Sequence, residues 1–458
     1  MDIYQPIAKY ILDPIFAYYE NSLHPEYLEE FERTQFMTEE KIADRQFFLL
    51  KNLLIHAYTN CPFYTKRFDE VSFNPNLFSN FEDLKKIPVL TKQDIQQNLE
   101  SLTAINYAPE NLHLNQTGGS TGSPLKFYVD QERLQSRKAS TYRHDQWTGW
   151  DIGVKTAVLW GHHGDFLPAR NWKNEIREEY YERKLFLDTS SITEENMSTY
   201  VKQLNFFNPK IYLAYANSMY LFVRYIKENN ITDYHRPKAI ITSAELLTQQ
   251  QRELIEETFA CKVFNRYGCR ETSIIASECN AHSGLHISAD TLYLEFVNKN
   301  VDVAFGETGR IIITDMLNMG MPLIRYQIED AGTPLAGDCA CGRSLPRMKI
   351  TGGRVTDFLV TSERKVVSGA SMTIYFVATV AGIAQAQIIQ KVVDSLTLKI
   401  VKSEHFSDTT EKEIADNIKQ YFGAGMKYEV EYVDKIETTA SGKYRFSISY
   451  IDPMEYLS

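Results

Sequence analysis

Over the first hundred residues apolar positions recur at three- and four-residue steps, as in FFLLKNLLIHAY (47–58), and predict a mostly helical segment. Cys61-Pro62 stops that helix. IPVLTKQDIQQN (87–98) predicts a short extended stretch and then a helix capped by Thr91, with Asp94 three positions on. The opening MDIYQPIAKYILDPIF has helix-like apolar spacing before Pro14 and reads as a surface helix packed on the body. From residue 155 the texture alternates. TAVLWG, KIYLAY, KAIITSAE and CKVFNRYG are short β-branched and aromatic runs, with the helix-like SMYLFVRYIKENN and LTQQQRELIEETF between them. Such alternation predicts an α/β body with a largely parallel, buried sheet. TLYLEFV and GRIIITDM add strands of an antiparallel section.

Near Gly352–Asp357 the pattern changes again. FLVTSERKVVSG predicts a hairpin, AQAQIIQKVV and SLTLKIVKS two strands, TTEKEIADNIKQYF a helix and YEVEYVDKI a strand. The expected fold is therefore α/β: a large N-terminal domain over 1–353, helical to about residue 100, and a small C-terminal α+β lid over 354–458. Crevices at such joints are common ligand sites.

Composition narrows the classes. The chain has 458 residues, 43% hydrophobic and 24% charged, which excludes a disordered, collagenous or coiled-coil protein. Its 49 Lys and Arg against 59 Asp and Glu leave a net charge of −10, so nucleic acid held by bulk charge is not expected. The longest apolar stretches fall short of the ~18–20 residues of a bilayer span. The start lacks a basic region and a small-residue cleavage site, and six cysteines in such a chain make no disulfide framework; together these point to the reducing cytoplasm.

One segment carries strong chemistry. Thr117-Gly118-Gly119-Ser120-Thr121-Gly122-Ser123-Pro124 combines three glycines, which let the backbone approach an anion, with four hydroxyls. Phosphate cradling is its natural use, and it lacks the Gly-Lys-Ser/Thr ending of a Walker loop. Cys279, His282, His286, Cys339 and Cys341 form a second constellation, from which four ligands would suit a tetrahedral structural Zn²⁺, with His286 preferred to His282. Cys61, Cys261 and Cys269 read as buried small residues, and His162-His163 as either a substrate contact or a solvated turn. No Ser-His-Asp spacing, H-E-x-x-H or G-x-G-x-x-G appears, so hydrolase, metalloprotease and dinucleotide readings fall away.

Further along stand Tyr267-Gly268-Cys269-Arg270-Glu271, Gly306-Glu307-Thr308-Gly309-Arg310, Pro322-Leu323-Ile324-Arg325-Tyr326, Gly352-Gly353-Arg354-Val355-Thr356-Asp357 and Thr439-Ala440-Ser441-Gly442-Lys443-Tyr444-Arg445. Singly each is weak. In this order, from about residue 47 to 448, the chain resembles adenylate-forming enzymes of the phenylacetate–CoA ligase branch, in particular the CapK-type relatives of capsule biosynthesis. The resemblance implies activation of a carboxylic acid by ATP as an acyl-adenylate, followed by transfer of the acyl group, CoA thiol being the expected acceptor. It implies nucleotide contacts from Ser120, Thr121, Gly122, Ser243, Ala244, Glu245, Tyr267, Gly268, Arg270, Asp330, Arg354 and Lys443. It gives the catalytic roles to Lys443, Glu271 and Thr121, with Glu271 toward Mg²⁺ and Asp330 toward the ribose, while Asp357 is the hinge about which the lid turns. The implied partners are ATP, the acid and CoA or another acceptor, with a homodimer left open. Two rivals follow: transfer to an amine or hydroxyl of a sugar or carrier in polysaccharide biosynthesis, and a nucleotide-binding scaffold without turnover.

Overall fold

The computed structural model describes residues 2–117, 125–161, 177–189, 191–192, 194–298, 300–352, 358–369, 372, 376, 380–437 and 446–451. Among these, a sheet of twelve strands forms the spine. Five strands run parallel in the order Lys184–Asp188, Thr156–Trp160, Ile211–Tyr215, Ala239–Ser243 and Lys262–Cys269. From Lys262–Cys269 onward every pairing is antiparallel, through Ser273–Glu278, Leu285–Ile287, Arg347–Gly352, Tyr326–Leu335, Gly309–Asp315 and Leu292–Asn298 to Val301–Asp302. The parallel α/β body is as the alternation predicts, but the antiparallel part, seven further strands against five, is the larger.

Period-2 alternation assigns the two faces of the parallel strands. Tyr212, Ala214, Ile240 and Val263 are buried in one core with Phe222, Ile255 and Phe259 of the helices Ala216–Glu228 and Gln249–Phe259. The opposite face carries only small clusters, around Ile211, Ile241 and Phe264 and around Val158, Trp160 and Tyr215. Less covering there leaves room for a cavity.

The N-terminal segment is helical as expected. Glu39–Asn60 ends at Cys61, and Pro62, rather than ending helicity, opens the helix Pro62–Glu70 at its first position. Thr91 and Asp94 form a reciprocal capping box on Lys92–Gln97. The first helical run likewise passes Pro14, which sits in the first turn of Asp13–Tyr19 where no N–H is needed. Leu50, Leu53, Tyr64 and Phe68 bury against Leu292, Ile311, Ile313 and Ile324 of the antiparallel half. No helix among the described residues is long and apolar enough to cross a membrane.

Toward the C-terminus a second sheet has the order Lys427–Tyr432, Ser395–Lys402, Ile383–Val392, Ser447–Ser449. The helix Asp408–Phe422 buries Ile414, Ile418 and Phe422 in a core shared with Leu396, Leu398 and Ile400. The strand Phe358–Val360 stands between the two cores, Leu359 in the smaller and Val360 in the larger. Its hairpin with Val366–Ser368 is extended by Ser191–Ile192 from the body. The boundary expected between 353 and 354 lies outside the described residues.

Phe68 is fully buried whereas Phe206 is 93% exposed. Phe68→Ala is expected to cost about 3–5 kcal/mol and Phe206→Ala less than about 0.5 kcal/mol, measured by urea denaturation monitored by fluorescence; equal effects would contradict this packing.

Candidate active site and metal centre

A cavity of 640 Å³ runs along the less covered face of the parallel sheet, from Thr156, Lys184 and Ile211 to the carboxyl ends of the strands, where open α/β sheets hold their ligands. Its lining draws on distant parts of the chain: Ser243, Ala244 and Glu245 at the end of one strand, Tyr267, Gly268, Arg270 and Glu271 at the end of the next, and Asp330 from the antiparallel half. Seven of the eight are among the nucleotide contacts expected from sequence, and the eighth, Glu271, is the carboxylate expected to act in catalysis. Trp160 and Tyr215 pack beside them with ring centroids 4.1 Å apart and planes tilted by 44°.

Local geometry explains how each is presented. Strand Lys262–Cys269 pairs in parallel through Asn265 and antiparallel from Arg266, with a bulge between Tyr267 and Gly268. A Cβ on Gly268 would lie 2.5 Å from the Ser273 carbonyl oxygen, so only glycine fits the return of the chain. Tyr267 donates its hydroxyl to Asp330 Oδ2 at 2.7 Å, joining two motifs that are far apart in sequence. Glu271, 7% exposed, accepts from the Tyr326 hydroxyl at 3.0 Å. Ala244 takes a left-handed φ of 66°, and Glu245 Oε2 accepts from the Asn217 N–H at 2.8 Å at the start of helix Ala216–Glu228. That bond fixes Glu245 as an acidic partner of a helix N-terminus.

Arg270 reaches elsewhere. Its Nη1 donates to the Gln116 carbonyl at 2.8 Å, on the strand Leu112–Gln116. This strand pairs with Lys126–Asp130, and Thr117 and Leu125 close the hairpin with bonds of 3.0 Å in both directions. Gly118–Pro124, with Ser120, Thr121 and Gly122, therefore leaves from a hairpin end tied to the Tyr267–Glu271 segment, and itself lies outside the described residues. So do His162, His163, Arg354, Asp357 and Lys443. Yet Thr117 and Phe446, which flank the glycine-rich loop and the Lys443 segment, both line the cavity.

Sequence patterning missed the support behind Glu271. In helix Gln131–Gln146, Arg133 and Arg137 are buried and share Asp315, at 2.9 and 3.7 Å. Arg133 donates to the Thr272 carbonyl, and Arg137 to those of Arg270 and Glu271. Burial pulls the Arg137 guanidinium down to about 10, and it stays charged at neutral pH. The i,i+4 spacing of two arginines was the available signal, but it equally describes a solvated face. Tyr326, also missed, stood inside a quoted motif.

The cysteine constellation closes as well. The ligand atoms of Cys279, His286, Cys339 and Cys341 all lie within 4.8 Å of one another. Cys279 and Cys339 sulfurs are 3.6 Å apart, and Cys341 Sγ is 3.3 Å from His286 Nε2. His286 Nδ1 donates to the Leu345 carbonyl at 2.8 Å, which directs Nε2 toward the thiols. Burial lowers the His286 pKa to about 4, keeping the ring neutral. Cys339 is lowered to about 7: burial opposes this, but hydrogen bonds from Ser283, the Cys341 N–H and the neighbouring thiols outweigh it. Three thiols and a neutral imidazole fit a tetrahedral zinc ion. His282 turns away to Glu278, at 3.4 Å. Of the remaining cysteines only Cys61 is buried; Cys261 and Cys269 are half-buried, Cys269 because it borders the cavity.

The fold is that of the adenylate-forming ligases. Solved structures of 2-hydroxyisobutyryl-CoA ligase superpose with a TM-score of 0.64 in the thioesterification state (17% identity, 92% of each chain) and 0.61 in the postadenylation state with R3-HIB-AMP (17%, 93% of this chain and 92% of that one). By sequence the chain has homologues in protein CapK of Staphylococcus aureus and in phenylacetate–coenzyme A ligases. The first is 27% identical over 374 residues, 81% of each chain; the Escherichia coli (strain K12) ligase is 25% identical over 318 residues, 68% of this chain and 70% of that one. Residues 359–450 match the CapK C-terminal domain.

Gly268→Ala is expected to destabilise the protein by about 1–3 kcal/mol and to perturb near-ultraviolet circular dichroism from Tyr267. A variant with wild-type melting and spectrum would show that the close approach to Ser273 is absent in solution.

Proposed function

We propose that this protein activates a carboxylic acid with ATP, giving an acyl-adenylate and pyrophosphate, and then passes the acyl group to the CoA thiol. The observation that carries the reading is convergence: Ser243–Glu245, Tyr267–Glu271 and Asp330 line one cavity, and so do Thr117 and Phe446, the flanks of the two loops bearing Thr121 and Lys443. The phenylacetate–CoA ligase homologues support it.

In this reading the Ser120–Thr121–Gly122 segment cradles the phosphates through backbone N–H groups and hydroxyls. Asp330, oriented by the Tyr267 hydroxyl, accepts from the ribose hydroxyls. Glu271, held by Tyr326 and by the arginine-bound backbone behind it, is the side chain to hold Mg²⁺, which would neutralise the polyphosphate. Lys443 stabilises charge at the α-phosphorus as the carboxylate attacks. Arg354 adds a nucleotide contact, and Asp357 is the hinge about which the small domain, 354–458, turns for thiol transfer. Arg270 acts through the loop stem that it holds. The CapK C-terminal match favours a second reading of the last step, transfer to an amine or hydroxyl of a sugar or carrier in polysaccharide biosynthesis. Cys279, His286, Cys339 and Cys341 would hold a structural Zn²⁺ that ties the turn after Glu278 to the loop before Arg347.

Lys443→Ala should fold normally and lose acid-dependent ATP–pyrophosphate exchange by about 100-fold or more; undiminished exchange removes Lys443 from the mechanism. Product analysis after AMP formation then separates the acceptors, thioester with CoA against amide or ester with amino sugars and polyols. Elemental analysis of untagged protein should find about one zinc per chain, with a lower melting temperature after chelation; a metal-free sample with wild-type melting would refute the zinc centre.

A further inference from the structure

At the opposite edge of the parallel sheet, where its strands begin, lies a second cavity of 420 Å³. Its lining is Asp2, Lys155, Arg183, Asn208, Pro209, Lys210, His235, Arg236 and Lys238. Among the described residues, five permanent cations therefore face one carboxylate, in a chain whose net charge is −10.

The strand register builds this concentration. Arg183, Lys155, Lys210 and Lys238 each immediately precede one of four neighbouring parallel strands. Backbone bonds continue the ladder through them: Lys238 N–H to Lys210 O and Lys210 N–H to Lys155 O at 2.8 Å, and Thr156 N–H to Arg183 O at 3.1 Å. Parallel strands lie about 4.8 Å apart, so four cations form a row roughly 14 Å long. Two of them are fixed. Arg183, 7% exposed, binds Asp2 and the Gly153 carbonyl, both at 2.8 Å, and Lys155 binds the Phe207 carbonyl at 3.1 Å. Lys210 and Lys238 make no close ion pair among the described residues, Lys210 acting on Asp2 only by longer-range attraction. His235 is held by the Tyr212 hydroxyl at 2.9 Å and Asn208 at 2.8 Å, and Arg236 stands over the Tyr234 ring.

We infer that this cavity binds a small molecule bearing a diphosphate group, at a site separate from the one proposed for ATP. Like charges a strand spacing apart repel, and a single carboxylate cannot offset them; a multivalent anion does. Lysines on flexible stems suit phosphate oxygens as point charges, and the buried Arg183 supplies a preset cation. Concavity favours a small molecule over a flat lipid surface.

Titration calorimetry with inorganic pyrophosphate tests this on the full-length protein. Wild type should show one more binding event than Lys210→Ala/Lys238→Ala, or bind there at least ten-fold more tightly, with affinity falling as salt rises. Lys443→Ala should keep that event, so its presence is read independently of the catalytic proposal. Should the double variant lose its fold, Lys238→Glu alone, at an exposed position, gives the same readout. Identical isotherms for wild type and variant would overturn the site, as would equal competition by orthophosphate at matched ionic strength. Sedimentation of wild type but not the variant with phosphatidylserine vesicles, without pyrophosphate binding, would overturn it in favour of a membrane surface.

Discussion

The structure turns on one strand that changes partners midway. Lys262–Cys269 is parallel to Ala239–Ser243 through Asn265 and antiparallel to Ser273–Glu278 from Arg266. A strand cannot serve both neighbours without a break in register, and the bulge at Tyr267–Gly268 is that break. It sends the chain back at once through Arg270–Thr272, so Tyr267 and Glu271 stand at the mouth of the parallel half while Asp330 comes from the antiparallel half. The cavity exists because two sheet types meet there, and the bond from Tyr267 to Asp330 crosses the junction.

That tight return needs something behind it. A loop carrying three carbonyls inward would leave buried acceptors unsatisfied. Arg133 and Arg137 supply the donors, and Asp315 offsets part of their charge. Hydrogen bonds from both guanidinium groups offset much of the cost of burying charge, Arg137 Nε alone of their nitrogens being buried without an acceptor among the described residues. The carboxylate of Glu271 is thereby presented from a backbone that has little freedom to move.

Much of this was legible in the sequence and some was not, for a common reason. The strands TAVLWG, KIYLAY and KAIITSAE, the Thr91 cap and the order of the C-terminal elements all follow from local apolar pattern and capping chemistry, and each forms where expected. The motif residues also pointed to one place, and eight of them line one cavity. Helix Gln131–Gln146 gave no such signal. Its buried positions include Arg133, Gln135, Ser136, Arg137, Arg143 and His144, polar residues that by pattern belong in water. Their burial is decided by partners far along the chain, Asp315 and Asp290, which only the fold brings near. The basic row is hidden for the same reason: Lys155, Arg183, Lys210 and Lys238 lie scattered in sequence and become neighbours through strand order.

Charge is the remaining constraint. An acidic protein that handles anions must concentrate its positive charge, and burial is how this one does so near the cavity. Arg266 and Arg137 are both pulled down to about 10 by desolvation, yet at neutral pH both remain protonated. Arg266 pairs with Asp145 at the cavity wall, while Arg133 and Arg137 share the single carboxylate of Asp315. The second arrangement puts two guanidinium groups on one carboxylate directly behind the backbone of Glu271, in surroundings that salt screens poorly. These cations stand against an acidic lining, in which Asp145, Glu182, Glu245, Glu271 and Asp330 face Lys184, Arg266 and Arg270, so the positive charge near the cavity is placed group by group rather than spread over its wall.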